Sequence, residues 1–226
     1  MLTKNESASK DEIRCYFDDL NFRINNYLQH KKHINVYLST DFNVFNIINP
    51  DENKISNVVY DLLNTSGTHG QNDLFLNSFL SVIGMSSVSF KKFKIFREDS
   101  TKFILNNSRR IDITIDFDNF GIGIENKPWS YDQTDQIKDY NDHLNKKYKE
   151  NYKLVYMVGD GRYPTSIDKE LLQNLEKQGK LIIFPYPTLF LKWLELCKKQ
   201  CESEKFRWFI RDFIEYINTH FTLAEE

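Results

Sequence analysis

The chain has 226 residues, 40% of them hydrophobic and 15% aromatic, and a formal net charge of −2. That length suits one large domain or a domain with an added subdomain, and the near-neutral charge excludes a polyanion-binding surface spread over the whole chain. Three cysteines without regular spacing (Cys15, Cys197 and Cys201) exclude a disulfide framework and agree with a reducing compartment.

The first ten residues are polar and read as a disordered tail without the apolar core of a signal peptide. No apolar run approaches the roughly 20 residues of a membrane span. The expectation is a soluble, cytoplasmic protein with no membrane partner. A helix is predicted over 11–32, from Ile13, Tyr16, Phe17, Leu20, Ile24, Tyr27 and Leu28 at helical spacing. Residues 33–49 are aromatic and support no assignment; 11–49 together form an N-terminal extension. Asn49-Pro50-Asp51 opens a helix with the stripe Ile55, Val58, Val59, Leu62 and Leu63. Glu52 falls at the edge of that stripe. It reads either as a first-turn acid favoured by the helix dipole or as an inward acid that needs a partner.

A turn cluster, 64–70, holds His69, which reads either as a structural loop histidine or as a phosphate contact. A helix follows over 73–83, then an alternating strand over 86–97 with lysines on one face, and a short extension over 102–107. After the central stretch described below, a helix is predicted from Tyr131 or Asp132 to Lys149. Its inward stripe is Gln133, Gln136, Ile137, Tyr140, Leu144 and Tyr148. Buried strands are predicted over 153–158 and 181–184. Helices are predicted over 166–178, from Pro187 through Cys197, and over 203–221. Lysine clusters at 91–94, 146–149 and 198–199 read as solvated faces.

The informative stretch is Arg109 to Lys127. Ile111, Ile113, Ile115 and Phe117 alternate with Asp112, Thr114 and Asp116. Beyond Asp118-Asn119, Phe120, Ile122, Ile124 and Asn126 alternate with Gly121, Gly123, Glu125 and Lys127. This is a hairpin pattern. A turn centred on 118 and 119 sets Phe117 against Phe120, Ile115 against Ile122 and Asp112 against Glu125. Two facing carboxylates repel, so removing Asp112 is expected to relieve the metal-free protein. Lys127, two residues past Glu125, points to the same side. Two carboxylates and a lysine on one face suggest a divalent metal site with a catalytic lysine.

These residues resemble the PD-(D/E)XK nuclease superfamily, and most closely a group of small bacterial PD-(D/E)XK nuclease-like proteins. The resembling segments are Glu52-Asn53, Thr68-His69-Gly70 with Asp73-Leu74-Phe75-Leu76, Arg110-Ile111-Asp112, Ile124-Glu125-Asn126-Lys127 and Asp135-Gln136-Ile137 with Tyr140. Phe190-Leu191-Lys192-Trp193-Leu194 and Phe209-Ile210-Arg211-Asp212-Phe213 are similar too. The likeness covers about residues 50 to 220. Ile111 stands where the family has the proline of its first motif. The resemblance implies an α/β fold: a mixed central β-sheet flanked by helices, a restriction-endonuclease-like core with additional N- and C-terminal helices, in a single domain over 1–226. It implies metal ligation by Asp112, Glu125 and the backbone carbonyl of Asn126, with Mg²⁺ as cofactor and Mn²⁺ as substitute. Lys127 would orient the attacking water and stabilise charge on the phosphate. Glu52 would hydrogen-bond a metal-bound water or join a second metal site, and Gln136 would position Lys127 or the phosphate. His69 and Arg110 are candidate nucleic-acid contacts. The activity implied is metal-dependent hydrolysis of nucleic acid, DNA ahead of RNA, in defence against foreign DNA or in repair. No added recognition domain is evident, so specificity would come from a homo-oligomer or a partner protein. The rival reading is a catalytically inactive nuclease-like module that binds nucleic acid or protein.

Overall fold

Residues 4–85, 92–102, 109–117 and 119–224 are described by the computed structural model of this protein. Two compact units divide the chain after Asn43. The first carries one long helix, α1 (Lys4–Leu38). It begins at Lys4, inside the segment expected to be a tail, and runs past the predicted end at residue 32. The second unit holds the sheet and the remaining helices.

The sheet has five strands in sequence order: β1 (Lys94–Ser100), β2 (Arg110–Asp116), β3 (Gly121–Lys127), β4 (Tyr152–Val158) and β5 (Leu181–Pro185). β1, β2 and β3 pair antiparallel, while β3, β4 and β5 pair parallel. β3 is therefore central and switches the sheet from one mode to the other. All seven of its residues are buried, as expected for a strand covered on both faces.

One face is covered by α2 (Val44–Ile48), α3 (Glu52–Leu63), α4 (Leu74–Val82), α7 (Leu191–Gln200) and α8 (Glu204–His220). Their apolar stripes meet Ile113, Ile115, Ile122, Ile124, Val155 and Met157 of the sheet. The opposite face is covered by α5 (Gln136–Tyr148) and α6 (Lys169–Lys177), packed on Leu154, Tyr156 and Val158. A short π-helical turn, Tyr186–Phe190, leads from β5 into α7. The helix predicted from Pro187 thus begins inside that turn.

The predicted hairpin register holds over most of its length. Ile115 pairs with Ile122 and Ile113 with Ile124, and the Phe117 amide donates to the Phe120 carbonyl at 2.9 Å. Asp118 of the turn lies outside the described residues, as do 86–91 of the predicted first strand and 103–107 of its predicted extension. The strand expected over 86–97 is described only from Lys94, as β1. The ladder ends at Ile113–Ile124. Beyond it, the Asn126 amide donates to the Asp112 carboxylate at 2.9 Å instead of to a backbone carbonyl. Ile111 consequently joins Ile137, Tyr140 and Leu144 in the second core, not Ile113 in the first. The Asp112–Glu125 facing pair is thus not a ladder pair.

Two glycines decide how close α5 comes to β3. A Cβ on Gly121 would stand 2.1 Å from the Tyr148 ring, and one on Gly123 would stand 2.9 Å from Leu144. The bare backbone at these positions admits the helix. Gly121→Ala should destabilise the protein by about 1–3 kcal/mol through overpacking. Adding Tyr148→Ala should recover part of that loss, so a double-mutant cycle by urea denaturation should be strongly non-additive. Additive effects would show that the ring does not set the spacing.

Candidate active site

β3 delivers Glu125 and Lys127 to the carboxyl end of the parallel part of the sheet, where open α/β sheets place ligand sites. The Lys127 ammonium lies 2.9 Å from Glu125 Oε1 and 2.7 Å from Glu52 Oε1. Glu52 is the first residue of α3. Its other oxygen accepts a hydrogen bond from the Ser130 hydroxyl. Of its two readings, the inward acid with a partner describes what the fold does with it, although it keeps the first-turn position as well.

Gln136 opens α5 and turns inward. Its amide nitrogen donates to Glu125 Oε1 at 2.6 Å and to the Tyr140 hydroxyl at 2.9 Å, while its oxygen accepts the Gln133 amide at 2.9 Å. These contacts satisfy the whole side-chain amide. Gln136 therefore holds Glu125 and makes none of these bonds to Lys127. Gln133 is exposed and precedes the helix, so it does not belong to the inward stripe expected of it. The helix starts four or five residues later than predicted because the Pro128–Asp135 segment is tied elsewhere. The Asp132 carboxylate accepts the Thr165 and Ser166 amides at 3.0 and 2.5 Å. The Ser166 hydroxyl in turn accepts the Ile137 amide at 2.9 Å. Burial opposes the charge on Asp132, but these bonds hold its carboxyl below the ordinary range.

Asn126 faces the other core. Its side chain donates to the Ser56 hydroxyl at 2.9 Å and accepts the Tyr186 hydroxyl at 2.5 Å. Ser56 lies one turn beyond Glu52, so this buried lock fixes the start of α3 against β3. Arg97 of β1 reaches Asp112, donating to its carbonyl at 2.8 Å and approaching Oδ1 at 3.3 Å. Arg162 caps the end of β3, donating to the carbonyls of Lys127 at 3.2 Å and Ser130 at 2.6 Å. Ser56, Tyr186, Arg97, Ser130 and Arg162 were not singled out from the sequence. Ser56 alone left a trace there, as a polar residue among the apolar positions of its helix.

Asp112, Glu125, Lys127, Gln136, Tyr140 and Arg110 line one cleft of about 410 Å³. Arg110 is exposed there and paired with Glu98 at 3.0 Å. His69 is not among the residues lining it. It is buried, its Nδ1 accepts the Gln71 amide at 2.9 Å, and its Nε2 bonds the Asn64 carbonyl at 2.9 Å. Both ring nitrogens are spent on the turn that contains them, which leaves none for a phosphate. The ring also packs 4.8 Å from Phe75. Its role is to shape the turn before α4.

Glu125 is 2% exposed. Burial, then the nearby Asp112 charge, push its carboxyl up to about 8 against the opposing pull of Lys127. Burial likewise raises Asp112, opposed by the Asn126 amide, Lys127 and Arg97. Burial works against the Lys127 charge, yet Glu125 and Glu52 outweigh it and hold the ammonium above its ordinary range. Glu125 Oε2 is buried and has no hydrogen-bond partner among the described residues. Such an orphan acceptor normally costs about 1–3 kcal/mol. Among the described residues, no group of three or more His, Cys, Asp or Glu side chains is arranged to hold a metal. What the cleft offers is two carboxylates, one with a free buried oxygen. A hard cation that accepts oxygen ligands and keeps its own waters fits that donor set.

The geometry also corrects the expected effect of losing Asp112. Its carboxylate satisfies the Asn126 amide and lies against Arg97. Asp112→Ala strands both groups, so it should destabilise the metal-free protein despite the relieved repulsion.

The raised Glu125 carboxyl has a signed consequence. Between its unfolded value near 4.5 and about 8, the folded protein holds the extra proton. Stability of the metal-free protein must then fall as pH rises through that window. Urea midpoints in EDTA should drop from pH 5.5 to pH 8, and Glu125→Gln should flatten the drop. An unchanged slope in the variant would remove Glu125 as its source.

Among the described residues, no helix is long and apolar enough to cross a membrane. No curated protein and no solved structure gives a significant match to the chain. The model of the PD-(D/E)XK nuclease superfamily matches residues 42–215, a span that contains the sheet, Glu52, Asp112, Glu125, Lys127 and Gln136. With its mixed five-stranded, restriction-endonuclease-like sheet, the chain belongs to the PD-(D/E)XK nuclease superfamily.

Proposed function

We propose that the chain is a Mg²⁺-dependent phosphodiesterase that hydrolyses nucleic acid, DNA ahead of RNA. The observation that carries this reading is Glu125: a buried carboxylate with one oxygen held by Lys127 and Gln136 and the other unpartnered. Superfamily membership supplies the nuclease class, and nucleases of this superfamily typically use a divalent metal.

Asp112 and Glu125 would hold the cation, joined by the backbone carbonyl of Asn126. The bound cation supplies Lewis-acid polarisation of the phosphoryl group and activation of water. Gln136 and Tyr140 keep the Glu125 carboxylate oriented. Lys127 places a fixed positive charge beside it, where negative charge gathers on the phosphoryl oxygens in the transition state. Glu52 holds the ammonium from the opposite side and limits its rotation. Arg110, exposed at the rim, is the candidate contact to the phosphate backbone. Defence against foreign DNA and repair are the settings this chemistry would serve.

A nuclease assay on single- and double-stranded DNA and RNA, with Mn²⁺ or EDTA, tests the reading. Cleavage should require the metal and should favour DNA. Lys127→Ala should lower the rate about 10²- to 10³-fold while retaining Mn²⁺ binding. Asp112→Asn, which keeps side-chain shape, should lose both Mn²⁺ affinity by calorimetry and rate. Mg²⁺ or Mn²⁺ should raise the melting temperature of the wild type by mass action, and not that of Asp112→Asn. Full activity in Lys127→Ala would remove the catalytic assignment. Absence of both metal stabilisation and cleavage would favour the inactive binding module, whose support is that Lys127 is already paired on two sides.

A further inference from the structure

The long helix α1 carries an apolar seam. Ile13, Phe17, Leu20, Ile24, Tyr27, Ile34 and Leu38 are spaced alternately by four and three residues, with Lys31 filling the one remaining position of the series. This is a heptad pattern with Phe17, Ile24, Lys31 and Leu38 at one core position and Ile13, Leu20, Tyr27 and Ile34 at the other. It continues for almost four heptads, the length at which the pattern argues for a coiled coil. Every apolar member is exposed, from 38% for Leu20 to 65% for Tyr27. Exposed apolar surface of this extent marks an interaction site.

We propose that this seam pairs with the same seam of a second copy, antiparallel, as a two-stranded coiled coil. A repeat of 3.5 residues keeps one stripe facing one partner along the whole helix. Pairing a stripe with itself about a two-fold axis is the common way for identical chains to associate. About half of each of seven large side chains, roughly 100 Å² apiece, would be covered per copy. The total, about 1,400 Å², clears the roughly 1,000 Å² expected of a stable interface.

Lys31 and the charge distribution choose the orientation. In a parallel, in-register pair the two Lys31 side chains would meet at one layer, which would then lack any apolar residue to pack against either stem. In the antiparallel pair Lys31 comes level with Leu20, while Ile13 meets Leu38, Phe17 meets Ile34 and Ile24 meets Tyr27. The Lys31 ammonium lies 2.6 Å from Asp41 of its own unit, so its head leaves the seam and its aliphatic stem covers it. The same register brings the acidic Asp18-Asp19 level with Lys32-His33 of the other copy. Helix dipoles also oppose favourably in this arrangement.

Sedimentation equilibrium on the full chain tests the proposal without reference to catalysis. At about 50 µM the wild type should sediment at twice the 27.0 kDa of one chain. Ile24→Glu should sediment as a monomer, with the dimer dissociation constant raised at least tenfold. Phe22→Glu, on the outer side of the helix, should remain dimeric. Circular dichroism should show the same helix content in all three. Orientation is read separately, in a Cys15→Ser background, by oxidising the Ile13→Cys and Leu38→Cys variants singly and as an equimolar mixture left to exchange subunits. The two positions are about 37 Å apart along one straight helix, so a disulfide between them needs an antiparallel partner, whereas a parallel in-register pair would cross-link each variant with itself. An oxidised dimer on a denaturing gel in the mixture, and in neither variant alone, supports the proposal. A monomeric wild type, a dimeric Ile24→Glu, cross-linking of either variant alone or no cross-linking in the mixture would overturn it.

Discussion

The second unit of this protein is built around one ammonium group between two carboxylates. Lys127 sits within 3 Å of oxygens from Glu52 and Glu125, in a cleft where Asp112 adds a further acid. Removing these charges from water is expensive, and a buried ion pair of this kind seldom adds net stability. The arrangement is retained at a cost, and natural proteins bear such costs at functional sites.

The surrounding fold supplies what the cluster needs to exist. Gly121 and Gly123 let α5 lie close on β3, and that approach carries Gln136 to the buried Glu125 oxygen. On the other face, Asn126 joins Ser56 and Tyr186, and this bond pins α3 where Glu52 reaches Lys127. Alternate residues of β3 thus serve two cores. Asn126 anchors the helix layer on one side, while Glu125 and Lys127 form the cleft on the other. A change of the Asn126 side chain would therefore reach the cleft through α3, while the backbone amide could still hold Asp112.

The nuclease reading and the pairing of α1 rest on different physics. The first depends on a few polar atoms brought together by packing from both faces of the sheet. The second depends on a repeated apolar stripe, whose partner is selected by period and charge. The two proposals thus concern separate units of the chain.

Much of this was legible without coordinates. Alternation around Asp118-Asn119 determined the hairpin and its register, because a period of two leaves only one face for the core. Helical periodicity located α3, α4, α5 and α8 to within a few residues at most boundaries, and the spacing of Glu125 and Lys127 on one strand put both on one side. Other features were decided only by tertiary structure. Asp112 takes the Asn126 amide and sends Ile111 to the opposite core; alternation cannot foresee a side chain replacing a backbone acceptor. His69 spends both nitrogens on its own turn, and Gln133 stays outside the helix because Asp132 is bound to the loop after β4. Ser56, Tyr186, Arg97 and Arg162 reach the site across tens of residues. Periodicity reports which face a residue occupies, a local property of the backbone. Which polar group it meets there depends on elements distant in the chain, and only their packing determines it.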